Sequence, residues 1–194
     1  VMDLLLPRLG NTLALSISAL LLSWLVAVPV GVVAARYAGR VPDRLLGFLS
    51  FAGLSVPEFL LAFFAIFLAA RTGWFPVGGT GQLDGGLGSY LYHLAAPAIV
   101  LTVGSVAYLQ RLMRSNVLEE LGKDYVRTAR AKGLAGSSVL WRHAVPNAVN
   151  PMITIFGMQL ATVASGAALV ENIMAWPGLG KLLLDATLSQ DLYV

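Results

Sequence analysis

Side chains able to do chemistry are scarce in this sequence and fall in three places. The densest is the stretch 124–146, DYVRTARAKGLAGSSVLWRHAVP, which gathers Arg127, Arg130, Lys132, Arg142 and His143. Such a cluster can hold an acidic surface or an anion. It cannot sit in hydrocarbon, where each Arg or Lys costs about 2.5–3.5 kcal/mol. The second place is Glu58, next to Pro57 in an otherwise apolar run. A carboxylate there either faces a cavity, where it would attract a cationic group, or is a protonated or paired structural residue. Pro57 frees a backbone carbonyl and kinks the helix, which suits the wall of a path across a membrane. The third is Gly180-Lys181, which has the ending of a phosphate loop. Ala175 stands where that loop needs its first Gly, and Leu182 where it needs Ser or Thr, so the chain is not expected to bind ATP. With two His, both at the edges of apolar runs, and no Cys, neither a metal cluster nor a Cys–His nucleophile is expected. No catalytic residue emerges, and the chain does not read as an enzyme.

The elements that must position these residues are apolar. The chain is 57% hydrophobic and only 12% charged, with a mean hydropathy of +0.76, against about 25% charged residues in soluble domains. This composition specifies an integral membrane protein. Four uncharged or nearly uncharged runs approach the roughly 20 residues a spanning helix needs: Thr12–Ala35, Leu45–Ala70, Leu94–Met113 and Asn147–Val170. None alternates with period two, so helices are predicted and not barrel strands. Gly157, Ala161, Ser165 and Gly166 in the fourth run read as a helix-packing face. Gln110, Asn116, Asn147 and Asn150 read as polar glue between helices, or as caps.

The charges then orient the spans. Arg36, Arg40 and Arg44 lie between runs one and two, and Arg111, Arg114, Lys123, Arg127, Arg130, Lys132 and Arg142 between runs three and four. Only Arg8, Arg71 and Lys181 remain for the other side. The bias of ten against three places both basic loops in the cytoplasm, and nothing accompanies them that would read nucleic acid. The glycine-rich segment 72–93 faces outward, with Trp74, Tyr90 and Tyr92 as an interfacial belt or part of a docking surface.

Within the basic stretch, Asp124 is a candidate N-cap and Gly133 a candidate C′ residue, framing a helix over Tyr125 to Lys132. Tyr125, Ala129 and Lys132 would share one face of it, and Arg127 and Arg130 another. Ser137 or Ser138 can cap a second helix toward Pro146. The result is a helix–turn–helix hairpin whose small alanines, Ala129 and Ala131, admit a close partner.

The spacing of Ala129, Gly133 and Pro146 resembles the cytoplasmic signature loop of permease subunits of ATP-binding-cassette importers. That loop reads Glu-Ala-Ala, three residues, Gly, nine residues, then Ile-x-Leu-Pro. With Gly133 on its Gly, Arg127, Thr128 and Ala129 fall on Glu-Ala-Ala, and His143, Val145 and Pro146 on Ile-x-Leu-Pro. The departures are Arg127, Thr128, His143 and Val145, so a salt bridge made by the family's Glu has no counterpart at 127. YVRTARAKGL and LWRHAVPNAVNP are similar to the dipeptide, oligopeptide and nickel branch. ENIMAWPGLGKLLLDA (171–186) and NTLALSISALLLSWLVAVPVGVVAA (11–35) resemble that branch as well.

The resemblance implies an all-α polytopic helical bundle of the type I importer permease kind: four full spans and a coupling hairpin at 124–146. Residues 1–194 would form one permease domain, with a further span expected before and after it. It implies that the hairpin docks on a cytoplasmic ATPase subunit through Arg127, Thr128, Ala129, Arg130, Ala131, Lys132, Gly133 and Leu134, with Pro146 closing the motif. ATP would be used by that partner, and no cofactor is expected on this chain. The other implied partners are a second permease subunit in a heterodimer, an extracytoplasmic substrate-binding protein and membrane lipid, in a bacterial or archaeal cell (inner) membrane. The implied cargo is a peptide, with nickel or another small polar solute as the alternative. An ion-coupled secondary transporter would need paired ionisable groups at mid-membrane, and only Glu58 qualifies. An intramembrane enzyme would need a Ser–His or paired-Asp site within the spans, and none is visible.

Overall fold

The computed structural model describes residues 2–81, 86–163 and 168–190, all of whose regular structure is helical. In chain order the helices are α1 (Met2–Arg36), α2 (Val41–Ser55), α3 (Glu58–Thr72), α4 (Gly86–Gly122), α5 (Asp124–Ala131), α6 (Gly136–Val139), α7 (Val145–Thr162), α8 (Ala168–Ile173) and α9 (Leu179–Ser189), with a π-helical turn at Leu140–Ala144 leading into α7. Large apolar side chains such as Phe48, Phe51, Phe63, Phe64 and Phe67 are exposed on this chain. Hydrocarbon, not water, is the solvent such a surface fits.

Of the four expected spans, one is interrupted by a break between helices and another reaches beyond the described residues. Among the described residues, only α1 and α4 are individually long and apolar enough to cross a membrane. At 35 and 37 residues and about 1.5 Å rise each, both outrun a hydrocarbon core of about 30 Å. The second run is broken at Val56–Pro57 into α2 and α3, a third span only if the pair is counted as one. Pro57 has no N–H to continue the helix, and its carbonyl starts α3 by accepting from Leu60 and Leu61. The fourth run begins within α7, whose 18 residues carry Asn147, Asn150, Pro151 and Gln159, includes residues 164–167, outside those described, and ends at Val170 in α8. Gly157 and Ala161 are exposed, so the face assigned to them packs on nothing described in this chain. Ser165 and Gly166 lie outside the described residues.

The chain divides into two compact units. The first comprises Val1–Leu22, Val56–Gly104 and Leu160–Val194. Its cores are built from Ala62, Ala96, Val100, Val170 and Met174, and from Leu15, Leu94, Ala98 and Trp176. Phe75 stacks on Tyr92 at 6.5 Å, and the Tyr92 hydroxyl donates to the Trp74 carbonyl at 2.8 Å. These bonds order the aromatic part of the glycine-rich segment.

The second unit comprises Ser23–Ser55 and Ser105–Gln159, and it holds the ten basic residues that the sequence assigns to the cytoplasmic side. Its core is Ala27, Val32, Ala35, Leu109, Met113, Val117, Leu140, Ala144, Ala148 and Met152. Three polar contacts tie α2 to α4 here. Ser50 donates to Gln110, Arg114 forks onto Asp43, and Arg111 lies 4.2 Å from the Phe51 ring centroid. Asn116 of α4 donates to the Ala148 carbonyl of α7 at 3.3 Å. Gln110 and Asn116 therefore join helices, as the sequence suggests.

Gly31 lets α1 touch α4. A Cβ there would stand 2.7 Å from Met113 Cβ and 2.8 Å from the Gln110 carbonyl oxygen. The second neighbour is backbone and cannot rotate away. Gly31→Ala is therefore expected to destabilise the chain by about 1–3 kcal/mol, the usual cost of overpacking. Thermal melting in detergent checks this, and an unchanged midpoint would refute the close approach.

Candidate functional site

The predicted hairpin is present, with shifted caps. Lys123, in extended conformation, occupies the cap of α5, and Asp124 begins the helix. As a first-turn acid, Asp124 still complements the helix dipole. It pairs with Arg127 at 3.3 Å, an exposed contact of little energetic weight. α5 ends where expected: Gly133 has φ +80, and its N–H donates to Arg130 O while that of Leu134 donates to Ala129 O. Ala135 takes the cap of α6, and neither Ser137 nor Ser138 caps it through its side chain.

Val126 and Ala129 turn inward onto Val139, with Leu121 beside them, and give the hairpin a small core of its own. Ala129 is thus buried and does not share an open face with Tyr125 and Lys132. The reason is helical spacing: Val126, three residues earlier, is the only bulky aliphatic residue in α5, and it pulls its i+3 neighbour inward. Arg127, Thr128, Arg130, Ala131, Lys132, Gly133 and Leu134 are all exposed. With Leu134 at 42% and Trp141 at 49% exposure, the hairpin offers apolar side chains among cations. Pro146 is exposed in the first turn of α7.

Tyr125 roots the hairpin. Its hydroxyl donates to Glu120 Oε2 at 2.6 Å and accepts from Asn147 Nδ2 at 3.2 Å. The His143 carbonyl, to which Asn147 Nδ2 donates at 2.9 Å, lies 3.3 Å from the same hydroxyl. Lys123 Nζ meets Glu120 Oε1 at 2.6 Å, a bond that holds the ammonium above its ordinary range.

Pro57 and Glu58 sit at the junction before α3, in the first unit. Pro57 caps α3 and Glu58 is its first residue, exposed on this chain. A carboxylate at a helix N-terminus is favoured by the dipole, which explains how the chain tolerates a charge in an apolar run.

Sequence reasoning missed a second polar centre. Glu171, in α8, is fully buried. Its carboxylate accepts from Thr12 Oγ1 at 2.6 Å and from the Gly180 N–H at 2.7 Å, while Thr12 Oγ1 accepts from the Leu179 N–H at 2.8 Å. The acid therefore caps α9 from a distance. Around it, Trp176 Nε1 donates to the Asn11 carbonyl and Asn11 Nδ2 to the Pro177 carbonyl. Gly178 and Gly180 are required by proximity, because a Cβ at Gly178 would overlap the Glu171 carboxylate and one at Gly180 would meet Ala168 and Glu171. The available signal was the pair of glycines at a helix start with an acid upstream. It marks an anion held by a helix N-terminus, and here the anion is the protein's own. Among the described residues no group of three His, Cys, Asp or Glu side chains could hold a metal.

The family model described as "Binding-protein-dependent transport system inner membrane component" matches residues 27–193. The oligopeptide transport system permease protein AppB of Bacillus subtilis (strain 168) is 40% identical over 98% of this chain and 61% of its own length. The di/tripeptide transport system permease protein DppB of Pseudomonas aeruginosa (strain UCBPP-PA14) is 40% identical over 93% of this chain and 60% of its own. The chain thus spans about three fifths of the curated relatives it matches. An inward-facing structure of the MetNI methionine ABC transporter shares the fold, with a TM-score of 0.73 at 20% identity, over 95% of this chain and 81% of that one.

Proposed function

The chain belongs to the family of binding-protein-dependent transport system inner membrane components, and from that premise we propose that it forms part of the membrane pore of an ATP-driven peptide importer. The observation that carries this reading is the hairpin: a short helix with its own small core, placing Arg127, Thr128, Arg130, Ala131, Lys132 and Leu134 outward around a left-handed Gly133. That surface docks on a cytoplasmic ATPase subunit, with Ala129 packing behind it and Pro146 fixing the exit into α7. ATP is bound and hydrolysed by that partner. A second permease subunit completes the pore and an extracytoplasmic binding protein delivers cargo. Pro57 and Glu58 lie on the path, with the carboxylate at the start of α3 favouring a cationic amino group. The peptide cargo is supported by the names of the two relatives, oligopeptide and di/tripeptide permeases.

The proposed cycle is alternating access: closure of the ATPase pair moves the hairpin and reorients the spans, so cargo affinity differs between the two states. The test is uptake of a mixed peptide library by vesicles holding the full-length chain with its ATPase and second permease subunits. Uptake is expected to require ATP. Gly133→Val, which forces a β-branched residue to φ +80, should lower it about tenfold, given about 1–2 kcal/mol for the left-handed conformation alone. Gly133→Asn, tolerated there, should retain most of it. Undiminished uptake without ATP would sink the reading.

A further inference from the structure

We propose that Tyr125, Glu120 and Asn147 form a polar latch that transmits movement of the hairpin to α4 and α7, so that Tyr125 is a positioning residue for transport. This rests on the reading of the hairpin as a coupling device. Two kinds of side-chain contact join α5 to its neighbours. One is apolar: Leu121, near the end of α4, against Val126, Ala129 and Val139. Such a contact is non-directional and lets α5 slide. The other is the Tyr125 hydroxyl, which fixes direction by bonding Glu120 of α4 at 2.6 Å and Asn147 of α7 at 3.2 Å. One side chain of α5 therefore holds both helices that flank the hairpin.

The latch also governs a compliant point. Between α6 and α7 the backbone widens into the π-helical turn Leu140–Ala144, closed by the Val145 N–H on the Leu140 carbonyl. Such turns accommodate an extra residue within a helix and are frequent at functional sites. The His143 carbonyl of this turn is held by Asn147 Nδ2 at 2.9 Å and lies 3.3 Å from the Tyr125 hydroxyl. The hydroxyl has one proton and two acceptors, Glu120 Oε2 on α4 and His143 O in the turn. One proton between two acceptors gives the latch two settings, and a two-state element is what carries coupling between sites. Beside it lies a cavity of about 470 Å³ lined by Asn116, Glu119, Glu120, Tyr125, Asn147 and Asn150, which leaves these side chains room to change partners.

Tyr125→Phe keeps the ring and deletes the proton. In the assembled full-length complex in vesicles, ATP hydrolysis is expected to stay within about twofold of wild type. Library peptide uptake should fall about five- to tenfold, so that the peptide taken up per ATP drops. Asn147→Ala, at an exposed position, should do the same, and the double variant should be no worse than either single one. Should Tyr125→Phe fail to assemble, Asn147→Ala alone decides the matter. An unchanged uptake-to-ATP ratio overturns the latch, as does a parallel fall of both activities, which a loss of docking or folding would produce. Uptake that is ATP-dependent with the ratio unchanged refutes only the latch. Uptake independent of ATP refutes the importer reading beneath it.

Discussion

Glu171→Ala is expected to produce a large loss of stability in the first unit. The carboxylate it removes is fully buried and accepts two bonds, from the Thr12 hydroxyl at 2.6 Å and the Gly180 N–H at 2.7 Å. Alanine leaves both donors without an acceptor in a dry site, at about 1–3 kcal/mol each. It also removes the acid that caps α9, worth about 0.3–1 kcal/mol. A total of about 3–5 kcal/mol follows, read as a lowered midpoint of thermal unfolding in detergent, with Trp176 as the reporter. Glu171→Gln should lose less: its carbonyl oxygen still accepts one bond, but its amide faces a second donor. Gly178→Ala approaches the same site from the other side. Its φ of −99 is open to any residue, so the harm is purely the overlap of the new methyl with the carboxylate. Glu171→Ala/Gly178→Ala should then cost less than the sum of its parts, since the truncated side chain makes room for the methyl. Additive losses, or a Glu171→Ala chain that melts with wild type, would show that the buried carboxylate does not organise the 171–180 segment.

Why that centre was hidden, while the hairpin was legible, comes down to range. The hairpin is local: charge forbids hydrocarbon, and Gly133 marks a positive φ that the backbone does adopt. Capping errs by one residue at α5, because Lys123 and Asp124 are adjacent and either backbone can start the helix. It errs further at α6, where Ala135 and Gly136 begin the turn before the serines are reached. Glu171 and Thr12 lie 159 positions apart, and nothing in the composition around either residue announces the other. A helix break was missed for a related reason. Apolar content is blind to a missing N–H, so Leu45–Ala70 reads as one run although Pro57 divides it. The branch of the family was legible because ARAKG and WPGLG are contiguous strings. Ala129, one of the three hairpin residues that match the family's motif, is buried, which hydrophobic pattern could have shown had Val126 been weighed with it.

The second large effect is expected at Asp43 and Arg114, again 71 positions apart. Asp43, in the first turn of α2, has a side chain only 8% exposed, against 33% for Arg114 on α4. The guanidinium forks onto both carboxylate oxygens, and Oδ2 also accepts the Gly39 N–H at 2.8 Å. Gly39 itself has φ +75, so the acid also holds the turn that joins α1 to α2. Arg114→Met strands a buried carboxylate, a change that costs about 3–5 kcal/mol in dry sites. Because water reaches the arginine here, about 2–3 kcal/mol is the expected loss. Arg114→Lys should recover little of it, since an ammonium cannot reproduce the two parallel bonds. Asp43→Leu alone leaves the arginine free to turn toward water and should cost less. The pair Asp43→Leu/Arg114→Met should melt above Arg114→Met alone, because no unpaired carboxylate remains. A melting-temperature cycle over the four chains measures this directly, and a coupling energy near zero would mean that the two groups only happen to be close. On the proposed reading of the latch the consequence reaches function, because α4 carries both Arg114 and Glu120. If the pair steadies α4 against α2, Arg114→Met should lower the peptide taken up per ATP in the assembled complex, as Tyr125→Phe does. The two then differ in stability: Tyr125→Phe should melt near wild type, and Arg114→Met well below it.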